Sequence, residues 1–223
     1  MNTIAAPRTG SLSFFTFARA ALALAILAAV VATFFDTAGR AAINPFNFFG
    51  YFTMQSNIIM MLVLTGTVVM TLRGSEPSWW MVVRACATTY MVIVGLVYNT
   101  LLLGLPGGVE LAWANAVLHI LVPLYVLVDW LFCPDRQRLA WKTLWLVLLY
   151  PVLWCAVVLI RGASDGWVPY PFLSPSTGYG SVFFFVALIG LGTLAMGALV
   201  WWRSRLGAAE TNVTGTGNAN GQS

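Results

Sequence analysis

The chain has 223 residues, of which 60% are hydrophobic and only 8% are charged, with a formal net charge of +4. Soluble domains carry about 25% charged residues, and a water-soluble fold of this length could not bury so much apolar sequence. The composition therefore excludes an ordinary soluble domain and predicts an all-α polytopic membrane protein. No basic run is interleaved with aromatic residues, so nucleic-acid binding has no support.

Six stretches are apolar over the roughly 20 residues that a membrane-spanning helix needs. In chain order they are residues 14–35, 48–72, 79–103, 111–132, 141–160 and 181–202. They predict a bundle of six transmembrane helices within residues 1–206 and a disordered polar tail at 207–223. The first stretch could instead be a cleaved signal peptide, but its spanning length and the lack of a convincing cleavage site favour a retained helix.

The basic residues are distributed unequally between the two sides of such a bundle. With both termini inside, nine of the eleven basic residues lie on the inner side: Arg8, Arg19, Arg73, Arg84, Arg136, Arg138, Lys142, Arg203 and Arg205. Only Arg40 and Arg161 lie on the outer side. Cytoplasmic segments of membrane proteins are enriched in Lys and Arg, so we predict that both termini are cytoplasmic.

The fourth stretch contains His119, the only histidine of the chain. An ionisable side chain at the bilayer centre costs about 2.5–3.5 kcal/mol on insertion scales and is therefore a candidate functional residue. With a rise of about 1.5 Å per residue, His119 lies about 12 Å below the outer end of its helix and Thr53 about 7–8 Å below that of the second. The two side chains are expected to face each other, which pairs a hydroxyl with a near-neutral base.

Three asparagines fall at a similar depth. Asn115 lies one turn from His119, Asn57 shares a face with Thr53, and Asn99 is near the outer end of the third stretch. We consider them, in the order Asn115, Asn57, Asn99, as groups that orient the site or stabilise an oxyanion. The alternative is that they join helices by hydrogen bonds, worth about 1 kcal/mol each.

Asp129 lies on the same stretch as the histidine but ten residues away, which is about 15 Å along a helix. It cannot orient the imidazole from there, and we expect it either to anchor the inner end of the helix beside Trp130 or to pair with Arg136 or Arg138. Asp36 and Arg40 are one turn apart and are expected to form an interfacial pair.

The sequence predicts no cofactor and no metal site. Cys86, Cys133 and Cys155 have neither metal-type nor redox-type spacing and are interpreted as free thiols. A haem held by two histidines is excluded because the chain has only one. No feature of the sequence indicates an oligomeric state.

Three segments resemble one known family. WANAVLHILVP at 113–123 resembles the W-x-N-x-x-x-H-x-x-x-P run of the androgen-induced family of six-span membrane proteins, and DGWVPYPFL at 165–173 resembles its G-x-W-V-Y-P-F-L loop with Pro169 added. GYFTMQSN at 50–57 is similar to the segment that supplies the family's threonine, and FTMQSN is more typical of its bacterial branch. Ala116 stands where the family often has a second histidine.

Members of that family hydrolyse fatty acid esters of hydroxy fatty acids. The resemblance implies a multi-pass protein of the bacterial plasma membrane with Thr53 as nucleophile, His119 as base and a membrane lipid ester as substrate. Trp167, Tyr170 and Pro171 would then cover the site or contact the substrate, unless they belong to an interfacial aromatic belt.

Two other functions remain open. The polar residues could form a cavity of a small-molecule or lipid transporter, or they could join helices in a non-catalytic scaffold. Transporters more often have broken helices and charges at the midplane of both halves. Here only Pro123 and Pro151 interrupt the stretches, and the charges lie near their ends.

Overall fold

The structure is a computed structural model that describes residues 9–104 and 109–206, with side chains from Ser13 onward. The predicted polar tail at 207–223 lies outside the described residues. Within the described ranges all regular structure is helical. The α-helices are Thr9–Arg40, Pro45–Phe48, Phe52–Leu72, Ser78–Val97, Ala112–Ala116, Val122–Phe132, Leu149–Ser164 and Tyr179–Arg205. They are supplemented by π-helical turns at Tyr98–Leu102 and Val117–Leu121 and by 3₁₀ segments at Trp141–Leu148, Pro171–Leu173 and Pro175–Thr177.

Six of the continuous helical segments are long and apolar enough to cross a membrane, which confirms the predicted all-α architecture and fits a multi-pass membrane protein. We call them the first to sixth spans: Ser13–Arg40, Phe52–Leu72, Ser78–Leu102, Ala112–Phe132, Trp141–Ser164 and Tyr179–Arg205. Large apolar side chains such as Leu24, Phe183 and Leu191 remain exposed on the outside of the bundle. Lipid, and not water, is the solvent that suits such a surface.

The second span starts later than its apolar stretch predicts. Pro45 opens a separate one-turn helix, Pro45–Phe48, in which the Asn44 side chain accepts a hydrogen bond from the backbone N–H of Phe46 at 2.9 Å. Proline at the first helical position and asparagine at the N-cap are the residues that favour such a start. The chain then turns, and the second span begins at Phe52.

The third span lies at the centre of the bundle and packs against the second, fourth and sixth spans. A first core cluster joins the first four spans through side chains that include Ile26, Met60, Met91 and Leu118. A second cluster, around Trp130 and Trp201, joins the third, fourth, fifth and sixth spans. A third one fixes the loop before the sixth span through Val158, Tyr170, Leu173 and Val182.

Pro123 makes the middle of the fourth span irregular. The preceding π-turn directs the N–H of Val122 to the carbonyl of Val117, and the next amide in that pattern would belong to Pro123, which has none. The carbonyls of Leu118 and His119 therefore accept side-chain hydrogen bonds from other spans. Asn57 Nδ2 donates to Leu118 O at 3.3 Å, and Asn99 Nδ2 donates to His119 O at 3.4 Å. These contacts fix the position of the fourth span at His119.

Pro123 packs directly on the backbone of the third span at Gly95. A Cβ added there would lie 2.8 Å from Pro123 Cβ, closer than real Cβ contacts allow. We expect Gly95→Ala to lower the free energy of unfolding by about 1–3 kcal/mol, as overpacking of a core does. Thermal unfolding in detergent would measure it. Gly192→Ala is the matched control, because a Cβ on that helical glycine meets nothing within 4 Å. Equal melting temperatures for both variants would contradict a tight crossing.

One end of the bundle contains a buried group of charges, which we call the ionic cluster: Arg19, Glu76, Arg84, Asp129 and Asp135. Arg19 Nε donates to Asp129 Oδ1 at 2.9 Å and its Nη1 to Asp135 Oδ2 at 2.6 Å. Arg84 Nη1 donates to Glu76 at 3.0 Å, and its Nη2 lies 3.2 Å from Asp135 Oδ1. The cluster ties the first, third and fourth spans together.

The predicted pairing of Asp129 with Arg136 or Arg138 is therefore wrong, because Asp129 pairs with Arg19. Arg136 Nη1 donates instead to the carbonyl of Cys133 at 2.6 Å. The error arose because Arg136 is near Asp129 in sequence, whereas the packing of the first span against the fourth brings in Arg19 from 110 residues away. Burial disfavours the charged carboxylate of Asp135, but Arg84 and Arg19 outweigh this effect and hold its pKa well below its ordinary range.

The opposite end is formed by residues 41–51 and by the 165–178 loop, and we call it the loop end. The expected pair of Asp36 and Arg40 is confirmed, and Arg40 also pairs with Glu110. Arg161 donates from Nη2 to Asn47 at 2.8 Å and to Asp165 at 2.7 Å, which connects the fifth span to the short helix. That the loop end faces the outside of a cell remains a prediction from the charge distribution.

Candidate functional site

A cavity of about 390 Å³ opens at the loop end between the first span and the 165–178 loop. We call it the polar cavity. Its size lies within the roughly 300–1,000 Å³ of ligand pockets. Its lining comes from the first to fourth spans and from the two connecting segments, and it includes Thr33, Thr37, Asn44, Asn47, Tyr51, Thr53, Tyr98, His119, Trp167, Pro169, Tyr170 and Pro171.

Thr53 lies in the first turn of the second span, where backbone N–H groups have no partner within the helix. Tyr170 from the loop supplies that partner: its hydroxyl accepts from the Thr53 N–H at 3.3 Å and lies 3.5 Å from Thr53 Oγ1. Both side chains are buried. Among the described residues the Thr53 hydroxyl makes no direct hydrogen bond to His119, although both residues line the polar cavity.

His119 is buried in the π-turn of the fourth span. Its Nδ1 lies 3.2 Å from the carbonyl of Asn115, and since a carbonyl can only accept, Nδ1 carries the hydrogen in that contact. Nε2 then has the free lone pair of the neutral ring. The imidazole stacks on Tyr98, with ring centroids 3.8 Å apart and an angle of 23° between the planes. This arrangement fixes both the orientation and the tautomer of the ring.

The structure places the three asparagines next to the cavity but outside its lining. Asn57 and Asn99 bind the carbonyls that Pro123 and the π-turn leave without a backbone donor. Asn57 Nδ2 also donates to the carbonyl of Thr53 at 2.9 Å. Asn115 Nδ2 donates to the hydroxyl of Tyr98 at 2.6 Å. Their amide groups thus join helices and position His119 and Tyr98, the alternative that the sequence had left open.

Tyr98 is the residue of this site that the sequence did not single out. It accepts from Asn115, stacks on His119 and lines the polar cavity. Because its oxygen is already an acceptor for Asn115, its own O–H remains a donor. The sequence gives little indication of this role, because a tyrosine at the end of a span is ordinarily an interfacial anchor.

The three loop residues predicted to cover the site, Trp167, Tyr170 and Pro171, all line the polar cavity. Trp167 lies under the Arg161 guanidinium, 4.3 Å from the ring centroid. Its ring also sits against Gly50, where an added Cβ would come within 2.6 Å of it. A glycine is therefore required at position 50 for the loop to close over the cavity in this way.

Burial raises the pKa of Tyr170 to about 12, although hydrogen bonds with Thr53 act in the opposite direction. The phenol is therefore protonated at neutral pH and remains a hydrogen-bond donor. Its O–H lies next to the Thr53 hydroxyl, where it can donate to an oxygen that enters the cavity.

We expect Tyr170→Phe to lower the free energy of unfolding by about 1–3 kcal/mol, because it leaves the buried Thr53 N–H without an acceptor. Thermal unfolding in detergent measures the change. Tyr179→Phe is the control, since Tyr179 is exposed at the start of the sixth span. If both variants melt at the wild-type temperature, the tyrosine does not cap the second span.

The described residues contain no group of three or more His, Cys, Asp or Glu side chains arranged to hold a metal ion. Comparisons of the chain with protein-family models, with curated proteins and with solved structures find no match.

Proposed function

We propose that this protein hydrolyses fatty acyl esters within the membrane, with Thr53 as nucleophile and His119 as general base. The observation that carries the proposal is that a buried hydroxyl and the only imidazole of the chain line one cavity at one end of a membrane bundle. The resemblance of residues 50–57, 113–123 and 165–173 to the androgen-induced family supports the same two residues.

In the first half of the reaction, Thr53 Oγ attacks the ester carbonyl carbon while His119 Nε2 takes the hydroxyl proton. A threonine hydroxyl is a weak nucleophile without such a base. The tetrahedral intermediate collapses, the carbon–oxygen bond to the alcohol breaks, and His119 returns the proton to the leaving alkoxide. The products are a free alcohol and an acyl ester of Thr53. Loose nucleophile–base contacts in a resting site commonly tighten when substrate binds.

In the second half, a water molecule in the polar cavity attacks the acyl carbonyl and gives its proton to His119 Nε2. Collapse releases the fatty acid, and His119 returns the proton to Thr53 Oγ. The Asn115 carbonyl, at 3.2 Å from Nδ1, holds the ring in the required tautomer and favours the transient imidazolium.

The hydroxyls of Tyr170 and Tyr98 suit the oxyanion better than the asparagines do. Both line the cavity, and each is free to donate its O–H. One donor placed at a developing oxyanion contributes about 3–4 kcal/mol to transition-state stabilisation. The charge distribution favours the outer side of the membrane for this cavity, so the substrate we propose is an ester of the outer leaflet of a bacterial plasma membrane.

The test is hydrolysis of a fluorogenic fatty acyl ester by the purified protein, with labelling by a fluorophosphonate. We expect mass spectrometry to locate the phosphonate on Thr53. Thr53→Ala should abolish both labelling and hydrolysis, and Thr53→Ser, which keeps the hydroxyl, should retain both. Hydrolysis unchanged in folded Thr53→Ala protein would overturn the assignment and favour a scaffold or a transporter.

A further inference from the structure

A second cavity, which we call the lateral groove, lies between the third, fifth and sixth spans beside the polar cavity. Its lining is almost wholly apolar and includes Val94, Val97, Pro151, Val152, Cys155, Val186, Ile189 and Gly190. Val152 on its rim is 60% exposed on the outside of the bundle. The groove therefore reaches the surface that faces lipid.

The two cavities meet at one place. Thr53, Tyr98, Leu102 and Tyr170 line both of them. The three hydroxyl groups thus stand at a boundary, with an apolar groove that leads to the lipid on one side and a polar chamber at the loop end on the other. A molecule that spans the boundary must have an apolar chain and a polar part, with its junction next to Thr53.

We propose that the lateral groove binds the acyl chain of a membrane ester, while the polar cavity takes the alcohol part of the same molecule. That the group beside Thr53 is an ester rests on the proposed function. The groove itself is argued from its lining and its continuity with the polar cavity. The groove has a volume of about 130 Å³, so it holds the portion of the chain nearest the carbonyl, and the rest extends between the fifth and sixth spans into lipid.

This geometry favours entry of the substrate from the lipid, through the side of the bundle. An ester in the membrane moves its acyl chain between the fifth and sixth spans, and its chain need not leave an apolar environment at any stage. Transfer of an acyl chain through water loses the hydrophobic stabilisation of each methylene. The polar cavity is left free for the alcohol part and for the water that the second half of the reaction consumes.

Gly190 gives a sharp way to block the groove. It lines the groove on the sixth span, and a Cβ added there meets nothing within 4 Å. The Cβ of Gly190→Leu therefore has room, and we expect the rest of the new side chain to occupy part of the groove. Gly192→Leu is the matched control: it lies on the same helix, a Cβ there also meets nothing within 4 Å, and it is outside the lining of the groove. Both variants are expected to melt at the wild-type temperature.

The probe is a hexadecyl glycerol ether with a diazirine on the chain, which cannot be hydrolysed. After irradiation of the purified protein, we expect cross-links on the groove-lining peptides around Val152–Cys155 and Val186–Gly190. Gly190→Leu should lower them about tenfold, as loss of burial for the first methylenes requires. Gly192→Leu should leave them unchanged. Equal cross-linking in both variants, or cross-links spread over all lipid-facing surfaces, would overturn the proposal.

Because the ether is inert, the result does not depend on catalysis. Cross-links that Gly190→Leu removes, in a protein that hydrolyses no ester, would establish the groove and refute the hydrolase. Thr53-dependent hydrolysis together with cross-linking that is insensitive to Gly190→Leu would refute the groove and leave the hydrolase.

Discussion

His119→Gln is expected to lower the rate of ester hydrolysis by about 10²–10⁴-fold, the usual contribution of a positioned general acid–base group. Glutamine is polar and of similar length, but its amide cannot take a proton from Thr53 and return it to the leaving alcohol. The initial rate with a fluorogenic acyl ester, at a fixed detergent concentration, measures the effect.

The control must separate lost chemistry from a disturbed cavity. Thr37 lines the same cavity from the first span, and its hydroxyl donates to the carbonyl of Thr33 at 2.8 Å. Thr37→Val removes one polar group of the lining and should lower the rate far less than His119→Gln does, because the Thr37 hydroxyl already donates within its own helix. In His119→Ala, added imidazole should restore part of the rate, because the removed ring leaves space beside Tyr98. A folded His119→Gln protein that hydrolyses at the wild-type rate would show that another group is the base.

Much of the architecture is encoded locally, and this explains why it was predictable. Each span is a predominantly apolar run of spanning length, and the bilayer permits few other structures for such a run. The similar depth of Thr53 and His119 was predictable from the same reasoning, since helix rise fixes depth, and both residues line the polar cavity. The later start of the second span could also have been predicted from the sequence, because Asn44 and Pro45 are the N-cap and first residue of a separate short helix.

The contacts between spans were harder to predict from the sequence. The sequence shows Asn57 and Asn99 as polar groups at a depth similar to that of His119. Their acceptors, the carbonyls of Leu118 and His119, depend on the π-turn, which the sequence does not show. Pro123 gave half of the signal, since its missing N–H leaves the His119 carbonyl free. Which asparagine reaches which carbonyl depends on how the helices are rotated, and no local pattern determines rotation.

The ionic cluster illustrates the same limit at the other end of the bundle. In the sequence, Arg19 and Arg84 can be recognised only as positive charges on one side of the membrane. Their partners, Asp129 and Asp135, come from other parts of the chain, and such pairs form only after the first, third and fourth spans have packed. Their burial therefore depends on the complete bundle, and removing one of these charges should strongly lower the free energy of unfolding.

Arg19→Met is expected to lower the free energy of unfolding by about 3–5 kcal/mol, the effect of removing one partner of a buried ion pair. Arg19 is 1% exposed, and its guanidinium meets Asp129 through two parallel hydrogen bonds, Nε–Oδ1 at 2.9 Å and Nη2–Oδ2 at 3.0 Å. Methionine fills much of the volume but leaves both carboxylates with Arg84 alone, whose Nη2 lies 3.6 Å from Asp129 and 3.2 Å from Asp135. Thermal unfolding in detergent, or unfolding by denaturant, would show the loss.

Two further variants make this last prediction specific to burial. Arg40→Met removes the pairs with Asp36 and Glu110, in which the arginine side chain is 41% exposed, and since solvent screens such pairs, the expected loss is at most about 1 kcal/mol for each. Arg19→Met combined with Asp129→Leu removes both charges and should recover much of the stability that Arg19→Met loses, because the cost lies in the carboxylate left without its partner. If Arg19→Met and Arg40→Met melt at the same temperature, the cluster does not hold the bundle together. If the double variant is less stable than Arg19→Met, then the attraction between Asp129 and the remaining Arg84 outweighs the cost of burying a carboxylate that has lost Arg19.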